Sequence, residues 1–210
     1  MKILNLYAGI GGNRKLWTPN ENEHEITAVE YKPEIAKIYQ DFFPKDEVVI
    51  GDAHQYLLDH FQEYDFIWSS PPCPSHSRVR FIATYEKDTD KIRQKPLYPD
   101  MKLYQEILLL NNYYRGLYCM ENVIPFYPPL IPAHKLGSHL FWTNFLIPPL
   151  NTESRDHCGT IESLGERKGF DLSKYKVDKR LALRNAVEPE IGKHIIHYAL
   201  NPIEIQKSMF

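Results

Sequence analysis

The chain has 210 residues, 43% of them hydrophobic and 13% aromatic, enough to bury one substantial core with little room for a second full domain. No segment approaches the roughly 20 consecutive apolar residues that span a bilayer, and Met1-Lys2-Ile3-Leu4 shows no cleavable signal pattern, so the expectation is a cytoplasmic protein with no membrane partner. The formal net charge of -2 gives no general pull toward nucleic acid, but it averages unlike segments: Lys plus Arg against Asp plus Glu is 6 to 12 over residues 1–74, 7 to 4 over 75–103 and 8 to 5 over 155–184.

Ile3 to Leu6 reads as a first strand and runs into Tyr7-Ala8-Gly9-Ile10-Gly11-Gly12, a glycine-rich loop that lets a nucleotide-like cofactor approach the backbone. Ile26 to Val29 is a second strand ending at Glu30, whose carboxylate can accept from both hydroxyls of a ribose. Pro33 to Phe42 follows as a helix, with proline in its first turn, Ile35, Ile38, Tyr39 and Phe42 on one face and Pro44 past its end. Val48 to Ile50 is a third strand leading to Asp52, either an acceptor for an adenine amino group or a helix cap. Phe66 to Trp68 is a fourth, and Ser70-Pro71-Pro72-Cys73-Pro74 comes directly after it. Pro99 to Tyr114 is helical, with Leu103, Ile107, Leu110 and Tyr114 in register and Gly116 as a stop. Leu117 to Met120 is a fifth strand running into Glu121-Asn122-Val123, and Leu140 to Ile147 a sixth. A helix from Pro189 to Leu200 closes the chain.

Such alternation predicts an α/β fold built on a doubly wound, mostly parallel sheet, with ligands outside the carboxyl ends of the strands. Tyr7 to Gly9, Glu30, Asp52, Pro72-Cys73 and Glu121-Asn122 then share one edge. Three prolines hold the backbone around Cys73 near fixed φ, which suits a positioned nucleophile, and His76 and Arg78 are close enough in sequence to lower its pKa. Cys119 lies within an apolar run and reads as core. Cys73, Cys119 and Cys158 fit neither a disulfide framework nor a metal site, and all three are expected as free thiols. Arg78, Arg80, Lys91, Arg93 and Lys95, with Arg167, Lys168, Lys174, Lys176, Lys179 and Arg180, neutralise phosphates if they face one cleft and otherwise form an ordinary solvated surface. A nicotinamide dehydrogenase is the rival for a glycine loop followed by an acid. The loop lacks the third glycine that packs a helix against a pyrophosphate, whereas S-adenosylmethionine carries no diphosphate and needs no such cradle.

In this order the motifs resemble those of cytosine-C5 DNA methyltransferases. Tyr7 to Gly12 is similar to the family's cofactor loop, which normally begins with phenylalanine. Ala28-Val29-Glu30-Tyr31, with Ala36, Tyr39 and Phe43-Pro44, resembles the second motif, placing Glu30 on the ribose and Tyr31 beside the adenine. Gly51-Asp52-Ala53 resembles the adenine-binding stretch. Pro72-Cys73 matches the catalytic pair, with Pro71 on the cofactor side and Pro74 where glutamine is usual. Glu121-Asn122-Val123 matches the family's Glu-Asn-Val motif, and Arg184-Asn185-Ala186-Val187 before Pro189 resembles the last motif, with Asn185 and Ala186 at the cofactor pocket. The resemblance covers most of residues 1–147 and again 184–199. It implies a Rossmann-like S-adenosylmethionine-dependent fold and methyl transfer to cytosine C5 in DNA, in a restriction-modification setting. Cys73 would add to C6, Glu121 would bind the N3 and N4 edge and Asn122 would orient both loops. Ser75, Ser77, Arg78 and Arg80 would contact the substrate.

Two departures stand out. The family's basic motif should precede the strand at Leu140, yet the chain reads Lys135-Leu136-Gly137-Ser138-His139; His139 either takes the place of an arginine near the base or merely begins the strand. The expected division is a core over residues 1–150, a short charged insert over 151–183 in place of a target recognition domain, and a returning helix over 184–210. So short an insert leaves room for RNA as substrate, a non-catalytic subunit of a modification complex, or a partner subunit or homodimer that supplies recognition. Val123-Ile124-Pro125-Phe126-Tyr127-Pro128-Pro129 either stacks on bases or lines the core.

Overall fold

The computed structural model of the protein describes residues 1–17, 24–84, 95–150 and 159–203. Its centre is one seven-stranded sheet. β1 (Lys2–Leu6), β2 (Glu25–Glu30), β3 (Glu47–Ile50), β4 (Phe66–Ser69) and β5 (Leu117–Val123) run parallel; β6 (His134–Leu136) and β7 (His139–Thr143) add an antiparallel edge, giving the order β3-β2-β1-β4-β5-β7-β6. Leu6 is level with Val29 and Ser69, and Ser69 with Met120, so the segments after β1, β2, β4 and β5 emerge at the same edge. This is an α/β, doubly wound, Rossmann-like architecture.

Helices cover both faces, because strands buried on two sides need apolar partners on each. Against one face lie α2 (Ala53–His60) and α4 (Lys102–Tyr113), whose Leu57, Leu103, Ile107 and Leu110 pack on Leu4, Leu6 and Ile67. α7 (Pro189–Leu200) packs Ile191, Ile195 and Ile196 against Ile3, Phe66, Trp68 and Phe141 on the other. Each such buried aliphatic side chain contributes about 1.5–3 kcal/mol, which outweighs the roughly 1 kcal/mol that Gly192 costs inside the helix. The glycine is there for contact: a Cβ on it would strike the backbone of Asn13 in the short 3-10 turn after the glycine loop. α1 (Pro33–Phe42), α5 (Ile161–Lys168) and α6 (Lys179–Asn185) form a third cluster, in which Leu164, Phe170, Leu172 and Leu183 meet Ile38 and Tyr39. The described part of residues 151–183 is therefore packed onto the core.

The sixth strand is shorter than the apolar run suggests. After Thr143 the Asn144 side chain takes over the pairing, its Oδ1 accepting from Tyr118 N at 3.0 Å and its Nδ2 donating to Gly116 O at 2.8 Å. Phe145 and Ile147 are buried without joining a strand. Among the described residues, no helix is long and apolar enough to cross a membrane.

Candidate functional site

The glycine loop leaves β1 through a left-handed turn. Tyr7 has φ 53°, Gly9 φ 55° and Gly11 φ 84°. A Cβ on Gly11 would overlap the rings of Phe43 and Tyr39, and one on Gly12 would meet Val187 and Ala186, so the loop is pressed between α1 and the segment joining α6 to α7. Gly9 and Gly51 face open space. Between them, Glu30 accepts from Gly9 N (3.0 Å) and Lys32 N (2.9 Å), and its carbonyl accepts from Gly51 N at 3.1 Å. A carboxylate has about four acceptor positions, so Glu30 keeps capacity for a ligand hydroxyl. Tyr31 is 74% exposed beside it. The side chains of Ile10 and Ala53 are in the core, which leaves these two only backbone to offer a ligand. Asp52 caps α2, with Oδ1 accepting from His54 N at 2.9 Å and Gln55 N at 3.4 Å.

The loop after β4 is tied to the end of β5. Asn122, 2% exposed, donates from Nδ2 to Pro71 O at 2.9 Å, and its Oδ1 accepts from Val123 N at 3.0 Å. That bond sets the Pro71-Pro72-Cys73 backbone relative to Glu121. Cys73 O accepts from His76 N and Ser77 N, turning the chain into α3 (Arg78–Thr84). From there the two loops run together. Phe126 N donates to His76 O at 3.1 Å, Arg78 Nε donates to Pro125 O at 2.9 Å, and Phe81 stacks on Phe126 at 4.4 Å between centroids.

The Cys73 thiol feels the Glu121 carboxylate. Burial pushes the Cys73 thiol up, the Glu121 carboxylate pushes it further, and its own backbone and Arg184 oppose them. This corrects the expectation that His76 and Arg78 depress the thiol. The His76 ring is 2.6 Å from Tyr127 Oη and Arg78 is bound to a carbonyl; the cation acting on Cys73 comes from α6. His139 lies opposite Val123, with Nε2 3.6 Å from Glu121 Oε1 and Nδ1 3.1 Å from Ser138 Oγ. Cys73, Glu121, Asn122, Pro72 and His139 thus lie around the tips of β4, β5 and β7. Asn185 is exposed and Ala186 buried in the segment that covers Gly12.

The proposed substrate residues are less uniform. Ser75 Oγ accepts from Asp100 N at 2.9 Å, Ser77 bridges Pro125, and Arg80 is exposed on α3. Lys91, Arg93 and Cys158 lie outside the described residues. Lys168 corrects the picture of a surface cation: it is 1% exposed, donates to Leu183 O at 2.8 Å and to Ala186 O, and lies 3.4 Å from Glu188. Arg167 donates to Glu188 and Arg180 to Gly159 O, so part of the second basic stretch is engaged within the chain. A cavity of about 650 Å³, lined by Lys2, Arg14, Glu25, Thr27 and Glu47, opens at the amino ends of β1 to β3, the edge opposite these motifs.

Residues 1–123 match the family model of the C-5 cytosine-specific DNA methylases. The chain belongs to this family. The match ends with the last residue of β5, so it spans the glycine loop, Glu30, Asp52, Cys73 and Glu121-Asn122, while His139 and the 184–187 segment lie beyond it. No curated protein matches the chain. Among solved structures it is similar to a DNMT2 mutant from Spodoptera frugiperda (26% identity, 58% of this chain and 35% of that one, TM-score 0.38). It is also similar to the S. pombe Dnmt2 methyltransferase (22% identity, 60% and 37%, TM-score 0.40). The chain spans about a third of the length of these structures.

Glu106 was not singled out in the sequence, and Lys168 and Arg184 were read there without the contacts they make. Glu106 sits three residues after Leu103 and four before Leu110, in the apolar stripe of α4, and Lys168 four after Leu164 in α5. A charge at a buried helical spacing was the available signal. Arg184 was visible in the last motif, but its nearness to Cys73 depends on how α6 folds back.

Proposed function

We propose that this protein transfers a methyl group from S-adenosylmethionine to C5 of cytosine in DNA through a transient adduct on Cys73. The observation that carries the reading is the placement of Cys73 and Glu121 at the tips of adjacent parallel strands, close enough for the carboxylate to shift the thiol, with Asn122 fixing one loop to the other. The residues around Gly9 fit the cofactor: open space above Gly9 and Gly51, acceptor capacity on Glu30 and an exposed Tyr31 for the adenine. When bound, S-adenosylmethionine supplies a methyl group on a sulfonium, an electrophile.

Cytosine is a weak nucleophile at C5. Addition of the Cys73 thiolate to C6 forms the S–C6 bond and moves an electron pair toward C5, while Glu121 hydrogen-bonds the N3 and N4 edge where charge collects. Once C5 carries the methyl group, a water from solvent would take the C5 proton, and the released electron pair would re-form the C5–C6 double bond as the S–C6 bond breaks and Cys73 leaves as thiolate, so neither side chain is consumed. Burial and Glu121 favour the neutral thiol in the free protein, with Arg184 as the opposing charge, so the thiol proton would pass to solvent as the sulfur attacks. In a duplex the target base must first leave the stack.

RNA is the second reading. It is favoured by the stretch over residues 151–183, shorter than the ~50 residues at which domains typically begin. Target selection would then rest with a partner subunit, a second copy, or the shape of the polymer itself. Labelled S-adenosylmethionine offered with DNA and with RNA separates the polymers, and the reading predicts label in the DNA arm. Label in RNA alone replaces DNA as substrate. Cofactor binding without transfer to either leaves a non-catalytic binding subunit.

A further inference from the structure

The carboxylate of Glu106 is 1% exposed on the inner face of α4, and the mechanism above does not use it. Its Oε1 accepts from Tyr7 Oη at 2.7 Å and lies 2.8 Å from His54 Nδ1; its Oε2 accepts from Ser69 Oγ at 2.9 Å. These partners come from the turn after β1, the first turn of α2 and the last residue of β4, three elements beside the glycine loop proposed to hold the cofactor. An apolar residue at this helical position would avoid the cost of desolvating a carboxylate, so a buried acid with three polar contacts calls for an explanation beyond packing.

Tyr7 supplies one. It is the non-glycine residue with φ above zero among the described residues, and such strain persists only where the surroundings over-determine it. Its ring reaches across to Glu106, which fixes the far end of the side chain while β1 fixes the near end. The family resemblance leads one to expect phenylalanine here, which would lack this bond.

We propose that Glu106 is a positioning residue for the cofactor: by holding Tyr7, His54 and Ser69 on one carboxylate, it keeps the glycine loop, the start of α2 and the end of β4 in the arrangement that binds S-adenosylmethionine. This rests on the cofactor reading above. The titrating groups facing Glu106 are Tyr7 and His54, while Asp52 and Asp100 act on Tyr7 from the cap of α2 and the approach to α4. A proton on Glu106 turns one acceptor oxygen into a donor, so one of the three contacts must reverse its direction or be given up. Burial raises the Glu106 pKa from its ordinary value, against the pull of its three partners. The affinity for the cofactor then falls as pH drops and Glu106 is neutralised.

The test is calorimetric titration of the full chain with S-adenosylmethionine between about pH 8 and about pH 5, a window reaching from neutral conditions to just above the ordinary carboxylate range, for wild type, Glu106→Gln and Tyr7→Phe. Wild type should bind, with an affinity that declines toward acid. Both variants should bind on the order of tenfold more weakly near neutral pH, the lower end of what a hydrogen bond to a charged group contributes, and Glu106→Gln should lose the pH slope. Tyr7→Phe keeps Glu106 in place and covers the case in which the glutamine variant does not fold. If both variants match wild type in affinity and slope, or if Tyr7→Phe lowers only the melting temperature, Glu106 is structural and the cofactor reading stands. A wild-type protein that binds no S-adenosylmethionine overturns both.

Discussion

At the scale of single residues, the proposed chemistry turns on how Glu121 and Arg184 act on the Cys73 thiol. Glu121 raises its pKa, so Glu121→Gln lowers it and gives more thiolate at a fixed pH. The variant should therefore be alkylated at Cys73 faster than wild type at neutral pH, with its pH–rate curve moved toward acid, and on the proposed mechanism it should lose methyl transfer. Arg184→Ala should do the reverse and slow alkylation. Peptide mapping after iodoacetamide treatment reads both, and equal rates in all three proteins would show that neither charge reaches the sulfur. Asn122 is a different case, since its side chain both donates and accepts while nearly buried. Asn122→Ala leaves Pro71 O without its donor and should lower stability by about 1–3 kcal/mol in urea unfolding. That Cys73, Glu121 and Asn122 come together was legible because the first falls in a short motif directly after β4 and the other two in a motif at the end of β5. Glu106 and Lys168 were not, because their partners lie far away in sequence: Tyr7 is 99 residues from Glu106.

Among elements, legibility followed the strength of the local pattern. β1, β2, β4 and β5 are apolar runs ending in motif loops, and α1, α4 and α7 carry clear apolar stripes. α2 was missed because Asp52 was weighed as a ligand as well as a cap, and Leu57 is its one buried large residue. α5 and α6 are short and charged; their apolar residues act only by meeting α1 across the fold. The end of β7 was misjudged because apolar character continues to Ile147 while the hydrogen bonding does not, Asn144 having taken it over. Two substitutions test how the C-terminal elements are held. Gly192→Ala forces a methyl group into the backbone of Asn13 and should destabilise by about 1–3 kcal/mol, the usual cost of overpacking. Lys168→Met strips the donor from Leu183 O and Ala186 O and should cost about 2 kcal/mol, on the scale of unsatisfied buried carbonyls. Thermal or urea melts check both, and a neutral Gly192→Ala would mean that α7 can shift off the 3-10 turn.

For the molecule as a whole, the parallel sheet gathers motifs from the first 123 residues along a single edge, and α6 with its following segment closes over the glycine loop from the C-terminal side. That global arrangement was readable from strand–helix alternation. The antiparallel β6–β7 edge and the packing of residues 161–177 onto α1 were not, since they depend on contacts that no local period encodes. The central claim is that the sulfur on the β4 loop and the carboxyl at the end of β5 work on one cytosine beside one cofactor. The most direct measurement is incubation of the full chain with S-adenosylmethionine and DNA containing 5-fluorocytosine, followed by a denaturing gel and peptide mass spectrometry. Because fluorine at C5 cannot leave as a proton does, a stable protein–DNA complex joined at Cys73 is expected, dependent on the cofactor and absent from Cys73→Ala. A complex that persists in Cys73→Ala, or its absence from wild-type protein that methylates ordinary DNA, would contradict the account.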